Sequence, residues 1–92
     1  MLINRTDYNE KVDEVINDIT KGDEKYDAVT AFLKLCGKTF YEYLGDRDDI
    51  EIENGEFEGL MSRCMQTLTA KAPNAFMLIF KFFDLLAEKL GV

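Results

Sequence analysis

Histidine is absent from this 92-residue chain, serine and proline occur once each, as Ser62 and Pro73, and cysteine occurs twice. Without histidine the commonest general base is missing, and neither cysteine has an imidazole to activate it. Ser62 falls within a helical pattern and has no nucleophile-elbow context. Gly45, Gly55 and Gly59 are too widely spaced to form a phosphate-cradling loop. These absences argue against an enzyme and call for no cofactor. Cys36 and Cys64 lack metal-ligand spacing and lie on apolar helix faces, so they are expected to be buried free thiols in a reducing compartment.

Long hydrophobic runs are also missing. The most apolar stretch, Ala75–Phe83, contains Lys81 and is soon followed by Asp84 and Glu88, well short of the roughly 20 residues that span a bilayer. The opening Met1-Leu2-Ile3-Asn4-Arg5 has no apolar core of a signal peptide. A soluble, cytoplasmic protein without membrane contact is the expectation. A net charge of −7 opposes direct binding to nucleic acid or to an anionic membrane, since both carry the same sign. The 47% apolar content and the length suit one domain over residues 1–92, with no repeats or low-complexity tracts.

What is present is a local concentration of acid. Between Asp46 and Glu58 seven carboxylates (Asp46, Asp48, Asp49, Glu51, Glu53, Glu56, Glu58) stand against Arg47 alone, for a local sum of −6. The remainder holds 11 acids and 10 bases and is nearly balanced as a whole.

Apolar periodicity predicts four helices. The first spans about residues 6–21, with Tyr8, Val12, Val15, Ile16 and Ile19 on one face, Thr6 or Asp7 as cap and Gly22 as stop. The second spans about residues 23–44, capped by Asp23, with Tyr26, Val29, Phe32, Leu33, Cys36, Phe40, Tyr43 and Leu44 as its stripe. Gly37 interrupts it at a cost of about 1 kcal/mol relative to alanine; close approach of a neighbouring helix explains it better than a bend. Tyr41 lies off the stripe and is expected at the surface. Gly45 suits the left-handed position that ends a helix.

The third helix spans about residues 55–70, with Phe57, Leu60, Met61, Cys64, Met65 and Leu68 on one face and Glu56 and Glu58 near the positive end of its dipole. Pro73 marks the break before the last helix, about residues 74–90. There Phe76, Leu78, Ile79, Phe80, Phe82, Phe83, Leu85, Leu86 and Leu90 cover an arc of about 220° at 100° per residue. Such a helix is either the centre of the bundle or leaves part of its surface for a partner. The expected architecture is all-α: a small four-helix, bundle-like domain of two helical hairpins joined by an acidic crossover loop, residues 45–54.

Within that crossover Asp49-Ile50-Glu51-Ile52-Glu53 alternates with period two, which predicts an extended segment with nothing to pair with. Its acids would project about 6.6 Å apart on one side, from a rise of about 3.3 Å per residue, while Ile50 and Ile52 face inward. The segment fails the calcium-loop test. Starting at Asp46, position 5 is Ile50, position 6 is Glu51 and position 12 is Phe57, where oxygen ligands and a glycine are needed. Irregular, weak cation binding or simple solvation are the blander readings. Tyr8, Tyr26 and Tyr43 sit among apolar neighbours without a basic patch and offer nothing to nucleic acid.

Two functional expectations follow. In the first, the chain is a non-enzymatic protein-binding module whose Asp48, Asp49, Glu51 and Glu53 dock on a basic protein surface as a nucleic-acid mimic. Its most concrete form is a phage or mobile-element inhibitor of a nucleic-acid-binding protein. In the second, it is a structural or assembly protein in which Phe76, Phe80 and Phe83 of the last helix form an oligomer interface, as in a homodimer, or bind an assembly partner.

Overall fold

A computed structural model describes residues 1–92. In chain order it contains strand β1 (Leu2–Asn4), helix α1 (Arg5–Thr20), a 3₁₀ turn (Glu24–Tyr26), α2 (Asp27–Leu44), β2 (Asp49–Glu51), α3 (Asn54–Lys71), a second 3₁₀ turn (Pro73–Ala75) and α4 (Phe76–Leu90). The chain is all-α apart from one ribbon of two three-residue strands. No helix is long and apolar enough to cross a membrane.

The capping chemistry explains where the helices start and stop. Asn4, rather than Thr6 or Asp7, caps α1; its side-chain oxygen accepts from the Asp7 amide at 3.2 Å, satisfying one of the orphan donors of the first turn. Asp23 does cap, but it caps the 3₁₀ turn through the Lys25 amide. The α-helix begins only at Asp27, and Tyr26 is left 40% exposed instead of joining the buried stripe. Gly45, with φ of 119°, ends α2, as its lack of a Cβ allows.

Helices α1 and α2 form the expected antiparallel hairpin. The Tyr8 hydroxyl donates to the Gly37 carbonyl oxygen at 2.6 Å, and the Tyr8 and Tyr41 rings pack with centroids 4.6 Å apart, tilted by 43°. Close packing accounts for Gly37, since a Cβ there would lie 3.0 and 3.1 Å from the Val12 methyls and 3.5 Å from the Phe82 ring.

The second pair is arranged differently. Phe57, near the start of α3, meets Phe40 at 5.2 Å, while Thr67, near its end, bonds Tyr43 at 3.0 Å. Ten residues of α3, about 15 Å of helix, thus pass over only three residues of α2, so α3 crosses α2 steeply. Helix α4 then runs in the same direction as α1: Val12 and Phe82 both meet at Gly37, and further along both helices Asp18 pairs with Lys89 at 3.1 Å. The second hairpin is therefore splayed rather than laid flat.

The core gathers where these elements meet. Leu33, Cys36, Phe40, Phe57, Cys64, Ile79, Phe82, Phe83 and Leu86 have no exposure. Phe40 is its hub, edge-on to Phe57 and Phe83, and Phe83 is edge-on to Phe82. No buried side-chain nitrogen or oxygen lacks a hydrogen-bond partner.

Candidate acidic docking surface

The acidic crossover is a strand, not a free loop. Residues 49–51 pair antiparallel with residues 2–4, in the register Leu2 to Glu51, Ile3 to Ile50 and Asn4 to Asp49. The expectation that the extended segment has nothing to pair with is corrected. Its partner is a three-residue stretch at the start of the chain, too short to declare itself by periodicity.

Several contacts aim this ribbon. After Gly45, Asp46 also takes a positive φ, 53°, and its amide bonds back to the Tyr41 carbonyl at 3.0 Å, reversing the chain. The Tyr41 hydroxyl then holds the Arg47 carbonyl at 2.6 Å. Tyr41 is therefore buried, at 4% exposure, contrary to its expected surface position. Sequence spacing placed it off the α2 stripe correctly, but the ribbon and Arg5 cover that side of the helix. Burial raises the Tyr41 phenol above its ordinary value, with Arg5 pulling the other way.

Arg5 is the principal anchor. It reaches the carboxylates of Asp46 at 2.9 Å and Asp48 at 3.1 Å and the Asp46 carbonyl at 2.8 Å. Its guanidinium carbon lies 5.0 Å from the Tyr41 ring centroid. The hydrogen bonds it donates to Asp46 and Asp48 raise its pKa. The Arg5 amide also donates to the Asp48 carbonyl, and the Ile52 amide to that of Met1.

Those two bonds set the phase of the ladder. Asp49 and Glu51 occupy non-hydrogen-bonded pairs, so their own N–H and C=O groups point away from β1 along an unpaired edge. Ile50 and Ile52 are buried beneath, and Asp49, Glu51 and Glu53 face solvent.

The four carboxylates singled out from sequence thus share one surface but not one environment. Asp48 is ion-paired to Arg5, and Asp49 accepts from the Asn4 amide at 3.1 Å. Glu51 and Glu53 have no cation within 4 Å among the ion pairs of the structure. Glu56 lies in the first turn of α3; Glu58 sits deeper, on a groove beside α4. No three carboxylate or thiol side chains converge as they would around a metal ion.

Contributors that sequence reasoning missed are Leu2, Asn4 and Arg5. Leu2 projects beside Glu51, exposed, as the one apolar side chain on the ribbon's outer face. Leu2-Ile3-Asn4 shows no alternation in sequence; its exposed-buried-exposed pattern exists only once it pairs with residues 49–51.

Folding also redistributes the charge. Helix α1 carries Asp7, Glu10, Asp13, Glu14 and Asp18 against Arg5 and Lys11, a sum of −3, and residues 45–53 sum to −4. Together these equal the whole net charge of −7, leaving every other part balanced. Ribbon and helix are contiguous through Asn4 and Arg5, so the acidic object is larger than the run Asp46–Glu58. Lys11 partly offsets it, lying 3.7 Å from Asp7 and 3.9 Å from Glu14. It ends at a groove of about 490 Å³ between α1 and α2, where Arg5, Lys34 and Lys38 balance Asp13, Glu42 and Asp46.

The last helix divides its phenylalanines. Phe83 is fully buried between Phe40 and Phe82, so it belongs to the core and cannot contribute to an interface. Phe76 and Phe80 are each 47% exposed, and Met77 is 75% exposed.

The chain matches no protein-family model, and no curated protein or solved structure shows a significant match to it.

Proposed function

We propose that this protein is a non-enzymatic binding module that docks its acidic surface on a basic protein partner. The observation that carries this reading is the confinement of the entire net charge to α1 and the crossover, two segments that the ribbon and Arg5 bring together at the start of the helix. A surface of one sign steers a partner of the other and fixes its register. Glu51 and Glu53 supply uncompensated charge, Asp48 and Asp49 are held in place by Arg5 and Asn4, and Leu2 adds an apolar contact beside them.

Carboxylates spaced along an extended backbone suit a groove that otherwise holds phosphates. The most concrete form of this reading is an inhibitor of a nucleic-acid-acting protein, of the kind phages and mobile elements encode. The test is affinity capture from lysate with the native chain and with a variant carrying D48N, D49N, E51Q and E53Q. The native chain should retain a basic protein that added duplex DNA displaces and that elutes with moderate salt; the variant should lose it. Equal capture by both at low salt would reject the reading.

A further inference from the structure

The face formed by α3 and α4 carries a ledge and a groove side by side. Phe76 and Phe80, one turn apart, lock edge-on with centroids 5.6 Å apart, and Met77 projects next to them. Beside this ledge a groove of about 540 Å³ runs along α3, floored by Met61 and Met65 and walled by Phe80. Exposed aromatic and methionine side chains collected in one place are characteristic of interaction surfaces rather than of scattered surface apolar residues.

From this we infer that the α3–α4 face is a twofold interface with a second copy of this chain, the ledge of each copy seated in the groove of the other. A twofold interface must be complementary to itself. Lys81 and Asp84 flank the ledge and Glu58 flanks the groove, and none of the three has an ion-pair partner within its own chain. Seating ledge in groove brings Lys81 of one copy toward Glu58 of the other.

The wider charge distribution agrees. Helices α3 and α4 each sum to zero, so two chains of net charge −7 can meet here with their acidic surfaces elsewhere. A basic partner, by contrast, would be drawn to α1 and the crossover.

Sedimentation equilibrium over a wide concentration range tests this directly. The native chain, 10.6 kDa, should approach twice that mass with rising concentration. Met77→Glu, at an exposed position, should weaken association at least tenfold while leaving the circular dichroism spectrum and melting temperature of the monomer unchanged. Lys81→Glu and Glu58→Lys should each weaken it several-fold, and the double variant should recover most of the loss. The crossover variant neutralised at residues 48, 49, 51 and 53 should associate as the native chain does, which separates this inference from the docking reading above. A native chain that stays monomeric, including one that instead binds phosphatidylcholine vesicles through this face, would overturn it. So would a Met77→Glu chain that still forms the dimer, or charge reversals without effect.

Discussion

The hydroxyl of Tyr41 on α2 donates to the carbonyl oxygen of Arg47 in the crossover at 2.6 Å. Six residues apart in sequence, the two residues lie on opposite sides of the turn that sends the chain from helix into strand. Tyr41→Phe keeps the ring under Arg5 but leaves that partly buried carbonyl without its donor, which costs about 1–3 kcal/mol. Urea denaturation should report the loss, and amide exchange should accelerate at Ile50 and Ile52, the crossover amides bonded to β1, before it does in the helices.

Gly37→Ala should destabilise although alanine is the better helix former. The new methyl would sit 3.0–3.1 Å from both methyls of Val12, a β-branched side chain with one favoured rotamer in a helix. Overpacking of about 1–3 kcal/mol outweighs a propensity gain of up to about 1 kcal/mol. Adding Val12→Ala should recover part of the difference, a non-additivity that a double-mutant cycle in urea would detect. Simple additivity would mean the contact does not exist.

Phe83 and Phe80 should behave oppositely despite lying one turn apart. Phe83→Ala empties a fully buried site at the aromatic hub and should cost about 3–5 kcal/mol, a large share of a typical domain's stability. Phe80→Ala, at a half-exposed position, should cost below about 1.5 kcal/mol for a chain held monomeric by dilution.

The buried thiols give stability an alkaline limit. Burial pushes the Cys36 thiol up to about 11 and the Cys64 thiol up to about 12, from an ordinary value of 9.0. Because the folded chain keeps these protons longer than the unfolded chain, stability is full below pH 9 and falls as pH rises from 9 towards 12. The limiting slope is about 1.4 kcal/mol per pH unit for each thiol. Burial raises Tyr8 as well, adding loss in the same direction. Melting temperatures should therefore drop steeply above pH 9, and Cys64→Ala, although less stable at neutral pH, should show a shallower decline.

The helices were legible because burial on one side imposes a period, and five apolar positions in α1 or six in α3 are enough to reveal it. Three features were not, each for a tertiary reason. Strand β1 is three residues long and acquires its identity only from β2. Tyr41 faces away from the apolar stripe of its own helix and is buried by a segment that arrives later in the chain. The broad arc of α4 announced an excess of apolar surface, but which part is covered depends on how α3 crosses, and that assigned Phe83 to the core and left Met77 outside. The acids of the crossover were visible as a run. Their union with the acids of α1 was not, because it depends on Asn4 and Arg5 meeting residues 46–49.

The ribbon joins Asn4 to Asp49 across 45 residues of sequence. Closing a loop of that length costs roughly 3 kcal/mol or more in chain entropy, beyond what two three-residue strands can repay. The α1–α2 hairpin must bring those ends together first, so the ribbon is a latch set on an assembled hairpin. A peptide copied from residues 45–54 would carry the charges without their spacing, the support of Arg5 or the neighbouring Leu2. The recognition surface is a product of the fold and is not portable as a sequence.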